Sequence, residues 1–277
     1  KNTRVILPMI GHKSNDKTMA STDAFSMYYG THLGRVSRHL IARRLQQIFG
    51  EARKSETDYR SLGAFGYPRP YLRFVEGRGG LRPVGFQFTG MDVDRWPRRQ
   101  PSRMALVDET HLPLLDSSLD EVLLIHGLET SRDPSQLLRE CWRVLKGQGR
   151  FVVVVPHRGT IWAVREMTPF GYGQPYSTHQ IRSLLRSHDF EVEQIHQALA
   201  APPSHSPLYP RFAPIVERFS KPMGGVLIVE ATKMLYSVRG VPSKRQRYVR
   251  PALIGINTNV LPRHQAWHTG KGKNGQT

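Results

Sequence analysis

"SRMALVDETHLPLLDSSLDEVLLIHGLETSRDPSQLLRECWRVLKGQGRFVVVVP" runs from Ser102 to Pro156 and alternates strand-like with helix-like pieces. Met104–Val107 is a short apolar run closed by Asp108, and Glu121–His126 ("EVLLIH") is a second. Pro134–Leu145 has proline in its first turn, where a missing N–H costs nothing. It sets Leu137, Cys141 and Val144 on one face, with Leu138, Trp142 and Leu145 beside them, and reads as a helix. "GQGRFVVVVP" follows as an unbroken apolar strand behind a glycine helix stop, the pattern of a parallel-sheet strand covered on both faces.

The same alternation continues in both directions. Upstream, Tyr59–Gly63 and Val84–Phe88 are strand candidates, and Gly63 and Gly66 form a glycine turn. Before them, Leu33, Val36, Leu40, Ile41, Leu45 and Ile48 recur at helical steps, which predicts an amphipathic helix at least from Gly34 onward. Its other face carries Arg35, Arg38, Arg43 and Arg44. Downstream, Ser177–Ser187 is a helix opened by a capping pair, and Glu191–Ala198 and Val226–Met234 are strands. Pro202–Pro222 is proline-rich and expected to be an irregular excursion. Strands alternating with helices in one long chain define an α/β doubly wound domain with a mostly parallel sheet.

Composition narrows the classes of function. The formal net charge of +18 makes an acidic partner such as RNA, DNA or an anionic membrane surface a candidate. The lone cysteine, Cys141, excludes an internal disulfide framework and a cysteine-based zinc cluster; on the apolar helix face it reads as a structural thiol. His264 and His268 have the four-residue spacing of a metal pair without the intervening glutamate, so no metal is expected. The longest apolar runs are of strand length, and no membrane span is expected.

The Ser102–Pro156 stretch resembles the second half of class I S-adenosylmethionine-dependent methyltransferases, in particular the methyltransferase type 11 group. The matched features are Asp108, Leu112–Pro113, Asp120, Arg143–Val144–Leu145, and Gly147 with Gly149. "TPFGYGQPYSTHQIRSLLRSHDFEVEQIHQAL" and "GGVLIVEATK" extend the resemblance, as do "YGTHLGR" from Tyr29 to Arg35 and the Gly-Tyr-x-x-Pro-Tyr-Leu loop, which are similar to a poorly characterised bacterial subgroup. It implies a single Rossmann-like domain with a seven-stranded sheet whose last strand is antiparallel. The expected organisation is a flexible N-terminal extension at 1–24, the methyltransferase-like domain at 25–236 and a basic C-terminal tail at 237–277.

The resemblance implies S-adenosylmethionine as cofactor and a site of Tyr29, Gly63, Phe65, Gly66, Asp108, Glu109, Thr110 and His126. Asp108 would accept the adenine amino group with the Glu109 and Thr110 backbone beside it, against the plainer role of a turn cap. Ile125 and His126 would floor the methionine end, His126 being either a base or a packed neutral imidazole. Tyr29, Gly34 and Arg35 would form a lid, unless Tyr29 packs as a core aromatic. The usual acids are missing, however: the first strand offers Arg60 and Ser61, and the second Gln87 and Thr89. Asp92 and Asp94 stand off the expected position.

Two functions follow. One is an enzyme that moves a methyl group to an O or N nucleophile of an unidentified acceptor. The other is a weak or inactive relative acting as an RNA-binding or assembly factor through its basic helix and tail. A nicotinamide-dependent oxidoreductase would need a fuller glycine fingerprint. The expected location is cytoplasmic, or an organellar matrix if the basic first stretch is a presequence; residues added ahead of a natural start near Met19 account for that stretch as well.

Overall fold

The computed structural model describes residues 17–50, 60–89, 95–164, 168–171, 173–219 and 224–235. The expectations for the basic tail, for His264 and His268 and for Asp92 and Asp94 lie outside them.

Seven strands form one sheet in the order β3-β2-β1-β4-β5-β7-β6. They are β1 (Arg60–Gly66), β2 (Leu81–Phe88), β3 (Met104–Val107), β4 (Leu119–Ile125), β5 (Leu145–Pro156), β6 (Phe190–Ala198) and β7 (Val226–Lys233). The first five pair in parallel, and β7 inserts antiparallel between β5 and β6. The strand order reverses beside β1, with β2 on one side and β4 on the other, which opens a crevice at the carboxyl ends of β1 and β4.

Alternation along the central strands feeds two cores. Val152 and Val154 of β5 and Leu123 and Ile125 of β4 point to one face, beneath helix α2 (His32–Gly50). Phe151, Val153 and Val155, with Val122 and Leu124, point to the other, beneath α4 (Pro134–Val144). This double covering is why "FVVVVP" has no polar position. Cys141 is fully buried in the α4 core, and burial pushes its thiol well above the ordinary range, consistent with packing alone.

Three elements depart from the sequence expectation. Helix α1 (Lys17–Gly30) precedes α2; among its described side chains Ala24, Phe25, Tyr28 and Tyr29 are buried, and its sequence has no apolar stripe at helical spacing to announce it. Thr31 separates the two helices, donating to the Tyr28 carbonyl at 2.7 Å and accepting the Gly34 N–H at 3.0 Å as the cap of α2. A Cβ at Gly34 would lie 1.9 Å from the Tyr28 oxygen, so this elbow needs glycine. The proline-rich excursion contains α7 (Tyr209–Phe219), with Pro214 inside it. Tyr209 and Ala213 bury one face of α7, and this packing offsets the hydrogen bond that Pro214 forfeits. Finally, α4 is not stopped by glycine: the chain turns extended at Leu145, and Gly147 and Gly149 lie inside β5, where Cβ atoms would strike Leu235 and Leu145.

The family-like residues away from the crevice hold the scaffold. Arg143 forks onto Glu140 and Asp116 and onto the carbonyls of Leu112 and Leu114, while Glu140 accepts the Leu112 N–H at 2.8 Å. This clamp fixes the loop that leaves β3. Asp120 sits at the amino ends of the strands, where it takes the Ser61 N–H and hydroxyl and pairs with Lys146. Beside it, Glu121 is buried between Arg60 and Arg150, and Arg150 also donates to the Ile48 carbonyl at the end of α2.

Candidate functional site

Parallel strands end in a row of backbone groups that a neighbouring loop must satisfy or a ligand must use. At the end of β1, Gly66 has φ +85°, and a Cβ there would lie 2.3 Å from the Ile125 oxygen and 3.0 Å from the Gly127 backbone. The β1 and β4 backbones therefore touch, and the Tyr67 N–H donates to the Ile125 carbonyl at 2.7 Å. Helix α3 (Arg69–Val75) then starts behind Pro68, with Pro70 in its first turn.

Over this junction lies an aromatic cluster. Phe25 stacks on His126 with centroids 4.5 Å apart, Tyr29 stacks on Tyr67 at 5.9 Å, and Phe170 lies 5.6 Å from His126. Within the cluster runs a hydrogen-bonded chain. Tyr71 donates to the Tyr29 oxygen at 2.7 Å, Tyr29 meets His126 Nε2 at 2.8 Å, and His126 Nδ1 meets Glu129 Oε1 at 2.9 Å. A carboxylate only accepts, so Nδ1 carries the proton and Nε2 accepts from Tyr29. Burial, with Tyr71 nearby, pushes the Tyr29 phenol well above its ordinary range and keeps it a neutral donor.

At the end of β3, Asp108 is exposed. Its Oδ1 accepts both the N–H (2.8 Å) and the hydroxyl (2.7 Å) of Thr110, and these bonds hold its carboxyl below the usual range. Asp108 thus caps a turn. Among the described residues nothing bonds its Oδ2; Thr89, just past β2, is exposed as well.

The structure separates the expected site residues. Gly66, Tyr29 and His126 meet at the crevice, and Asp108 stands two strands from β1, at the end of the edge strand β3. Gly63 does not belong to the loop: it lies within β1, where its missing Cβ makes room for Leu119 and the Phe65 ring. Phe65 stacks on Phe86 at 4.9 Å in the α4-side core, away from the aromatic cluster. The Thr110 N–H is taken by Asp108, so the Thr110 backbone lies beside that carboxylate, and the Glu109 side chain accepts the Arg132 N–H at 2.9 Å. Tyr29 is 5% exposed and packed, and Arg35 donates to the Gly30 carbonyl at the elbow. Sequence reasoning missed Glu129, whose signal is its three-residue spacing from His126 just past a strand. It also missed Phe25, Tyr67 and Phe170, which distant segments bring together.

Residues 79–153 match the family model described as "Methyltransferase domain". A "probable S-adenosylmethionine-dependent methyltransferase" of Mycolicibacterium smegmatis is 36% identical over 131 residues, 43% of this chain and 49% of that protein. One of Mycobacterium tuberculosis is 34% identical over 89 residues, 32% of this chain and 30% of that one. The chain thus spans half or less of the curated relatives it matches. A solved Thermotoga maritima methyltransferase, titled "possible histamine N-methyltransferase", shares the fold with a TM-score of 0.54 at 16% identity, covering 78% of this chain and 98% of that one. Sheet order and matches together define a doubly wound methyltransferase fold. They support a class I S-adenosylmethionine-dependent methyltransferase, with S-adenosylmethionine as the cofactor they imply.

The donor set fits one end of that cofactor better than the other. Asp108, exposed and with no hydrogen bond on Oδ2 among the described residues, suits an adenine amino group. Gln87, fully buried at the next-to-last position of β2, brings an amide where a ribose-holding acid would stand. At the crevice itself the Tyr67 N–H is committed to Ile125, and Phe25 and Tyr29 cover the ends of β1 and β4.

Among the described residues, no helix is long and apolar enough to cross a membrane.

Proposed function

We propose that this domain transfers a methyl group from S-adenosylmethionine to an O or N nucleophile of an acceptor. The observation that carries the reading is Asp108: an exposed carboxylate whose Oδ2 has no hydrogen bond among the described residues, at the carboxyl end of the edge strand β3 of a β3-β2-β1-β4-β5-β7-β6 sheet. The cofactor supplies an electrophilic methyl group. The chain supplies position: Asp108 would hold the adenine, the Arg143–Glu140 clamp fixes the loop that carries Asp108, and the aromatic cluster excludes water from the crevice. In a direct displacement, holding donor and acceptor in line provides most of the acceleration, so the missing acids weaken binding rather than remove the chemistry.

The test is transfer of labelled methyl from S-adenosylmethionine into fractions of a cell extract. Wild-type protein is expected to label a fraction that Asp108→Ala does not; equal labelling by both refutes the assignment of Asp108.

A second reading, an RNA-binding or assembly factor, is favoured by one feature. Between α2 and α7 lies a cleft of about 170 Å³ lined by Arg43, Arg44 and Arg218. The Glu217 carboxylate beside them is spent on the N–H groups of Leu199 and Ala200. Phosphate contacts there require RNA affinity that falls steeply with salt; salt-independent binding, or none at low salt, removes this reading.

A further inference from the structure

Three features of the crevice exceed what packing needs. His126 has φ +51°, a left-handed backbone that a non-glycine residue adopts only against a steric penalty. Glu129 is wholly buried; one carboxylate oxygen engages His126 Nδ1, and the other has no hydrogen-bond partner among the described residues. The third is that Nε2, the acceptor of the pair, is met by a phenol on another element, Tyr29 of α1. A histidine that only filled space would need neither the strained backbone nor an under-bonded buried acid.

Tyr29 also defines what the site accepts. Its ring lies nearly parallel to Tyr67, at 10°, and its hydroxyl sits 2.8 Å from Nε2. Phe25 and Phe170 close the remaining sides of the imidazole. The helix that carries Tyr29 turns into α2 at the Gly30–Thr31 elbow, and the Tyr28 hydroxyl, 2.7 Å from Ser37 Oγ, pins the two helices in the closed arrangement.

We infer that His126, oriented by Glu129, is the catalytic base for a phenolic hydroxyl acceptor, and that Tyr29 holds the acceptor's place when α1 is closed. The inference rests on the methyl-transfer reading and gives it an acceptor class. When α1 withdraws, the acceptor hydroxyl takes the position of Tyr29 on Nε2. Its proton passes to Nε2 as the oxygen forms a bond to the methyl carbon. The carbon–sulfur bond breaks, the sulfur keeps the electron pair, and Glu129 balances the imidazolium charge until the proton leaves to solvent.

The probe is para-nitrophenol, added to the full chain at a pH below the probe's own pKa, so that visible phenolate absorbance reports proton loss. Saturable binding with added phenolate absorbance is expected. Tyr29→Ala, which removes the competing hydroxyl, should tighten binding about tenfold. His126→Gln should bind the probe without the absorbance, its fold checked by circular dichroism. Should that variant unfold, nitrogen NMR of the unmutated protein decides. A proton on Nδ1 and an Nε2 resonance that moves with para-nitrophenol support the assignment; a static Nε2 resonance overturns it. Failure of the probe to bind both wild type and Tyr29→Ala overturns it as well, as does phenolate absorbance that survives in His126→Gln. Calorimetry with S-adenosylmethionine separates the two claims: cofactor binding without a phenol site sinks this inference alone, and a phenol site without cofactor binding sinks the methyl-transfer reading.

Discussion

Replacing Gly66 by alanine tests whether the crevice depends on direct contact between the β1 and β4 backbones. Gly66 and Gly77 both have positive φ, +85° and +75°, so alanine meets the same backbone penalty at either position. That penalty is about 1–2 kcal/mol, partly offset by about 0.4–1 kcal/mol from a stiffer unfolded chain. They differ in space. At Gly77 a Cβ meets nothing within 4 Å, whereas at Gly66 it lies 2.3 Å from the Ile125 oxygen and 3.0 Å from Gly127, all of it backbone. Relief requires β1 and β4 to part, which adds about 1–3 kcal/mol of overpacking. Net losses are then ~2–4 kcal/mol for Gly66→Ala and under ~1.5 kcal/mol for Gly77→Ala. For a domain of this size that is a melting temperature lowered by roughly 5–15 °C in the first case and at most about 5 °C in the second. Thermal denaturation followed by circular dichroism reads both. Equal shifts for the two variants would refute the reasoning, because they would mean that the strands do not meet at Gly66.

Further perturbations probe the scaffold. Glu140 is held below the ordinary carboxylate range first by its bond to Arg143, so the native state favours its ionised form and the unfolded chain binds the proton more readily. The stability this adds is full above about pH 4.5 and is lost as pH falls through the depressed native value. Glu140→Gln should therefore cost about 1–3 kcal/mol at neutral pH and little in acid, flattening that part of a urea-midpoint profile against pH. Glu121→Gln removes the carboxylate between buried Arg60 and Arg150, of which Arg150 keeps Glu230 at 3.6 Å, and should cost about 3 kcal/mol in urea denaturation; a change under about 1 kcal/mol would show that the remaining partners compensate.

Sheet and core were legible because burial on two faces writes itself into "FVVVVP" and "EVLLIH", and a capped stripe into Ser177–Ser187. Such signals are local. Helix α1 and α7 were not legible for two different reasons: the sequence of α1 has no apolar stripe at helical spacing, and Pro214 masks the face made by Tyr209 and Ala213. The site divides in the same way. Asp108 stands out as an acid closing a strand, and His126 as a polar residue at a strand end. Glu129 acquires meaning only when the loop after β4 folds back on His126, and Tyr29 only when α1 lies across the crevice. Gly63 shows the converse: a glycine that fits a ligand-loop pattern in sequence is fixed by Leu119 and Phe65 inside a strand.

Isothermal titration with S-adenosylmethionine and with its demethylated product tests the central claim most directly. Saturable one-to-one binding of both to the wild-type chain is predicted, weakened about ten- to a hundredfold by Asp108→Ala through loss of one charge-assisted hydrogen bond. No heat of binding from either compound at millimolar concentration would contradict the account.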